Sequence, residues 1–202
     1  MRGLISIGFL VAALFVAAGC GSSNKSSSPG TATTITSGTT TSVTTDGIDP
    51  LPGAGTTPVE SHTTPSETAL LERIAIGRHE GYDRVVFQFK NALPGYRVDY
   101  AEPPLKEDGS GNVVSVKGSA FVVVRMEPAS GFDLSKNEGE LVYKGPRRLE
   151  GSDSGTSTVL ELARTGDFEA VLSWAIGLQD QVDFRVTTAQ SPARLIVDFR
   201  NH

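Results

Sequence analysis

The chain has one cysteine, one tryptophan, two methionines and three histidines in 202 residues. A single cysteine forms no intramolecular disulfide framework and no cysteine-rich zinc site. Two of the histidines, His62 and His202, stand in a polar N-terminal stretch and at the last position, leaving His79 as the one inside the main body. A His-rich metal site would need remote carboxylates, so neither a metal nor any other cofactor is expected. No basic stripe is present: Lys and Arg total 18 against 23 Asp and Glu, a net charge of −5. Binding to nucleic acid through phosphate neutralisation is not expected of such a chain.

Long apolar runs are also scarce. The one at the N-terminus, Leu4 to Val16, is shorter than the about 20 residues that span a bilayer and ends in flexible polar sequence. Arg2 precedes it and Ala17-Ala18-Gly19-Cys20 closes it, which is the order of an export signal: charge, apolar stretch, small residues. The small residues before Cys20 resemble the lipobox of bacterial lipoproteins, with Ala17 where that family most often has Leu. The resemblance implies cleavage before Cys20, a lipid on its sulfur, and a protein held on the extracytoplasmic face of the cell membrane. The plain alternative is an ordinary cleaved signal with an incidental cysteine. Residues 1–19 are read as the signal peptide, and Cys20 as the lipid attachment site.

Residues 20–68 lack aromatics altogether, and about half of this stretch is Ser or Thr. Such composition buries too little apolar surface to offset backbone ordering, so a disordered tether is expected. As a random coil it would span on the order of 40 Å.

The ordered domain is expected over residues 69–202. Its pattern has period two: Val85, Phe87 and Phe89 alternate with Val86, Gln88 and Lys90, as on a strand with one buried face. Similar alternation is read through Phe168, Ala170, Leu172, Trp174 and Ile176, through Val182 to Val186, and through Leu195 to Phe199. Phe121 to Met126 suits a central strand. Weaker strand signals lie at Leu71 to Ile76, Tyr96 to Tyr100, Val113 to Val116, Leu141 to Tyr143 and Thr158 to Ala163. Glu80-Gly81, Pro94-Gly95, Asp108 to Gly111, Gly145-Pro146 and Gly166-Asp167 punctuate them. The fold class predicted is all-β, an antiparallel β-sandwich of short strands. One helical turn is expected near Phe132 to Ser135.

Several segments resemble AMIN domains. Asp83 to Phe89 resembles an early strand of that family and Ala193 to Phe199 its closing strand. Leu93 to Val98, Glu107 to Gly111, Gly166 to Glu169 and Trp174 to Leu178 resemble the actinobacterial branch called AMIN-like, which follows a lipoprotein signal and a Ser/Thr-rich spacer. The resemblance implies a β-sandwich that binds cell-wall polymer or another envelope protein, and it carries no catalytic residues.

Candidate binding residues follow from side-chain chemistry. His79, Tyr82 and Arg84 crowd one predicted hairpin and could line a polar, aromatic surface for a glycan or peptide. The local reading is that Glu80-Gly81 turns the chain, Asp83 accepts backbone N–H groups and Arg84 pairs with a carboxylate. Tyr96 and Tyr100 join the candidates because a half-buried phenol can still present its hydroxyl. Trp174, in a strongly apolar strand, reads as core. Arg147-Arg148 is a small basic pair that could touch an anionic polymer. A hydrolase elbow fails at Gly151 to Gly155, where Asp153 takes the place of the nucleophilic serine. Binding without catalysis is therefore expected, and a protein adaptor at the membrane face is the alternative.

Overall fold

Period-two alternation becomes strand wherever its apolar set finds a second sheet to pack on. A computed structural model describes residues 49–135 and 138–201. The signal peptide, Cys20 and most of the Ser/Thr-rich stretch lie outside the described residues. Among the described residues eleven strands form a β-sandwich and two more form a ribbon. One sheet has the order β1 (Val59–Ser61), β4 (Gly95–Tyr100), β5 (Ala120–Glu127), β11 (Val171–Leu178), β10 (Val159–Phe168), β9 (Arg148–Glu150). The other runs β12 (Phe184–Ala189), β13 (Ala193–Arg200), β3 (Tyr82–Phe89), β2 (Ala69–His79), β6 (Ala129–Ser130). All pairings are antiparallel except β2 with β6. The ribbon pairs β7 (Phe132–Asp133) with β8 (Glu140–Leu141).

The core is the inner set of both sheets: Val85, Phe87 and Phe89 of β3, Leu195, Val197 and Phe199 of β13, Val122, Val124 and Met126 of β5, and Leu172, Trp174 and Ile176 of β11. Trp174 is fully buried, with Phe87 at 6.4 Å and Tyr143 edge-on at 5.7 Å between ring centroids. Burial of each such side chain contributes roughly 1.5–3 kcal/mol, and a chain without disulfide staples depends on it.

Asp83 also points inward and is fully buried. Its Oδ2 accepts the backbone N–H groups of Ser157, Thr158 and Val159 at 3.0, 2.7 and 3.1 Å, and its Oδ1 accepts Asn201 Nδ2 at 2.9 Å. One carboxylate thus ties β3 to the start of β10 across the sandwich. It accepts backbone N–H groups, as the local reading requires, but from the far sheet instead of its own turn.

Several expectations are corrected. The fold begins upstream of Ala69: Leu51 is fully buried, Gly55 bridges Phe184, and β1 pairs with β4. The alternation from Phe168 to Ile176 is two strands, not one. Glu169 and Ala170, with φ of 50° and 60°, turn the chain between β10 and β11, and Phe168 is left exposed at the tip. The helical turn expected at Phe132 to Ser135 is instead β7 and its loop, while a 3-10 turn forms at Gly151–Ser154. Val113 makes only an isolated bridge with Lys106. Of Leu141 to Tyr143 only Leu141 is in a strand, and Tyr143 packs in the core. Among the described residues no helix is long and apolar enough to cross a membrane.

Candidate functional site

The two sheets treat their outer faces differently. Residues 101–119, between β4 and β5, form a strap over the six-stranded sheet. Asp108 N–H donates to Thr165 O at 2.9 Å, Lys117 N–H to Glu161 Oε2 at 2.8 Å, and Ser119 N–H to Leu178 O at 2.9 Å. Beneath the strap the outward side chains are small or latched: Ser173, Ala175 and Ala163 are buried, and Glu161 is 3% exposed and also accepts Arg148 Nη1 at 2.7 Å. Gly177 has no room for anything larger, since a Cβ there would meet Lys117 O at 1.8 Å.

Among the described residues, no such strap lies on the outer face of the five-stranded sheet. Strand register arranges it in rows from β2 through β3 and β13 to β12. The first row is Arg73, Gln88, Arg194, Ala189; the second is Ala75, Val86, Ile196, Thr187. Gly77, Arg84, Asp198 and Arg185 form the third, and His79, Tyr82 and Arg200 the last. Alternation puts these residues opposite the core set of the same strands.

The third row is the most ordered. Arg84 donates from Nε to Asp198 Oδ1 at 2.6 Å and from Nη2 to Oδ2 at 2.9 Å, the two-pronged geometry of a guanidinium on a carboxylate. Arg185 Nη2 donates to the same Oδ2 at 3.0 Å. Asp198 is wholly buried under two cations, and its hydrogen bonds hold the Arg84 pKa above the ordinary guanidinium value, against the opposing effect of burial. Arg84 also lies 5.1 Å above the Tyr82 ring, and His79 stacks with Tyr82 at 4.8 Å with planes 12° apart. Arg200 is different: Asp49 and Asp183 flank it at 2.8 and 3.6 Å. Gly77, beside Arg84, has nothing within 4 Å of the position a Cβ would take, so the row ends in an open notch.

Of the five expected binding residues, His79, Tyr82 and Arg84 come together here. Tyr96 and Tyr100 do not join them. Both lie on the inner side of β4 with Val98 and pack against the core. The Tyr100 hydroxyl donates to Val182 O at 2.6 Å and accepts Val182 N–H at 3.0 Å, with Phe184 edge-on to its ring at 5.8 Å. Burial raises the pKa of both phenols. Arg73, Gly77, Val86, Arg185, Arg194, Ile196 and Asp198 escaped the sequence reading. The signal for most of them was position: Arg185, Arg194, Ile196 and Asp198 alternate with the core residues of β12 and β13.

A second surface lies at the β10–β11 end. Phe132, Leu134, Leu141 and Phe168 are 39, 79, 44 and 63% exposed, and Phe132 and Phe168 line a groove of about 600 Å³ with Arg147, Arg164 and Asp108. Among the described residues no group of three or more His, Cys, Asp or Glu lies where it could hold a metal ion.

The model of the AMIN-like domain family matches residues 69–201, more than half of the chain. No curated protein and no solved structure matches.

Proposed function

This chain belongs to the AMIN-like domain family, and from that premise we propose that it is a lipid-anchored envelope module binding cell-wall polymer, without turnover, on the outer face of its five-stranded sheet. Cys20 carries the anchor, residues 21–48 give reach, and the sandwich does the binding. One observation carries the choice of face. The six-stranded sheet is strapped and latched, whereas the other presents His79, Tyr82, Arg84 and the Gly77 notch to solvent. A flat, polar and aromatic sheet surface suits an extended glycan, whose ring faces are apolar and whose rims hydrogen-bond.

Retention of the full chain, solubilised in mild detergent, on purified wall sacculi tests the reading. Retention that a Gly77→Trp substitution abolishes is the expected outcome, because the new ring covers the notch. Failure of the unsubstituted chain to bind sacculi at moderate salt would end the proposal. The anchor has its own test. A Cys20→Ala chain is expected to leave the membrane fraction, and intact mass of the mature protein should show acylation at its first residue.

The exposed cluster of Phe132, Leu134, Leu141 and Phe168 favours a second reading, an adaptor that docks another envelope protein there. Crosslinking in cells from a photoreactive residue at position 168, compared with one at position 77, separates the two.

A further inference from the structure

We infer that the polymer held on the open face is anionic, a glycan bearing phosphate or carboxylate groups, and that it lies along the strands so that successive charges meet two arginine rows. The inference rests on the wall-polymer reading above and names the ligand chemistry of the same face.

The first row supplies one contact. Among the described residues neither Arg73 nor Arg194 has a hydrogen-bond or ion-pair partner, and the two flank Gln88 from the strands on either side. The Nε of Arg194 is buried and bonded to nothing. An unpaired donor at such a position costs free energy until something accepts its proton. The exposed Glu72 accepts Gln88 Nε2 at 3.0 Å rather than either guanidinium.

The third row supplies the other contact. Arg84 and Arg185 share one carboxylate, Asp198, so the row holds one positive charge in excess. Arg84 Nη1 is spare, and the Arg185 Nε is another buried donor without a partner. Gly77 next to Arg84 lets a ligand approach the backbone there. Arg73, Arg194 and the excess charge of the third row thus lie on the same outer face, away from the strap.

Gln88 lies four positions along β3 from Arg84, roughly 13 Å at strand spacing. Between the rows lie Ala75, Val86, Ile196 and Thr187, small or apolar side chains that present no charge. That alternation, cation, apolar floor, cation, matches a chain in which sugar rings separate anionic groups. Lone small anions would meet only one row. Guanidiniums take carboxylate and phosphate alike in paired hydrogen bonds, so the geometry defines the charge and leaves its source to the assay.

Three probes decide it with the full chain in detergent: peptidoglycan stripped of accessory polymers, which offers carboxylates; a phosphodiester-linked wall glycan; and neutral chitin oligosaccharide. Binding to at least one anionic probe and none to chitin oligosaccharide is expected. The stronger anionic probe identifies carboxylate or phosphate as the source. An Arg73→Gln, Arg194→Gln chain should bind that probe about tenfold or more weakly per arginine removed. Its melting temperature should not fall, because among the described residues neither side chain has a partner to lose and the unpaired Nε of Arg194 is removed. Added salt should weaken the parent chain more than the double variant. Equal binding to the neutral and anionic probes, or full affinity in the double variant, overturns the anionic assignment while leaving wall binding intact. If sacculi and all three probes fail to bind the unsubstituted chain, the parent reading falls with it.

Discussion

Gly77 and Gly177 are both outward-facing strand positions, Gly177 on β11 inside its sheet and Gly77 on β2 at the end of its row, and their surroundings are opposite. A Cβ at Gly177 would collide with the carbonyl of Lys117, whereas one at Gly77 would meet nothing within 4 Å. The difference extends to whole faces. On the six-stranded sheet a 19-residue strap (residues 101–119) covers small side chains and is latched to Glu161. On the five-stranded sheet the same outward direction holds arginines, one shared carboxylate and stacked rings. A sandwich needs only its inner faces to be stable. Covering one outer face and equipping the other is therefore a division between structure and recognition.

The sharpest test exchanges these glycines for the same residue. Gly177→Leu forces the strap off its sheet, and overpacking against backbone should cost about 3 kcal/mol or more. For a domain of this size that is a fall in Tm of roughly 6 to 12 °C. Gly77→Leu should leave Tm within about 2 °C, since a strand position in open space tolerates a side chain and strand propensity favours it over glycine. Equal losses in the two variants, by differential scanning calorimetry, would erase the distinction between covered and open faces.

Two buried carboxylates extend the contrast. Removal of Asp83 leaves three backbone N–H groups without an acceptor between the sheets, and Asp83→Ala should cost about 3 kcal/mol. Asp198→Ala frees Arg84 and Arg185, whose side chains are 29 and 25% exposed and can turn to water. About 2 kcal/mol is expected there. Urea midpoints for the pair give the ranking directly. A smaller effect is expected at the latch. Glu161→Gln keeps an acceptor for Lys117 N–H but gives up the charge that Arg148 meets, about 1 kcal/mol. Hydrogen exchange should speed up several-fold at the Lys117 amide and stay unchanged at the amides of β3. An unaltered Lys117 rate would mean that Glu161 does not hold the strap.

Strands with strict alternation were legible without coordinates, because burial of one face writes itself into every second residue. Val85 to Phe89 and Leu195 to Phe199 are examples. What defeated the reading was chemistry that period two does not encode. Glu169 and Ala170 make a tight turn with positive φ and no glycine, so the alternation runs unbroken from Phe168 into β11. Gly55 and Val59 to Ser61 join the fold from polar, Thr-rich surroundings by pairing with sheet edges, a non-local effect. At the site, His79, Tyr82 and Arg84 were visible because they cluster in sequence. Arg185 and Asp198 were not, since only the register of β13 between β3 and β12 brings them to Arg84. Tyr96 and Tyr100 flank Val98 at the same parity, and that spacing was the available sign that they face inward.

The smallest expected effect checks that inward assignment by pH. Tyr96, Tyr100 and Tyr143 all have their pKa values raised, chiefly by burial. A phenol whose folded value lies above its unfolded value binds its proton more tightly in the native state. Its contribution is full below the ordinary phenol value of about 10 and is lost as pH climbs through the raised folded value. Stability should therefore be flat from about pH 8.5 to 10 and decline beyond, as these groups ionise more readily in the unfolded chain. Tyr100→Phe removes one of the three, at the cost of both bonds to Val182. The variant should start lower and fall less steeply. Urea midpoints followed to pH 11.5 distinguish this from an outward Tyr100, for which parent and variant would decline in parallel and β4 would present its tyrosines to solvent in the way β3 presents Tyr82.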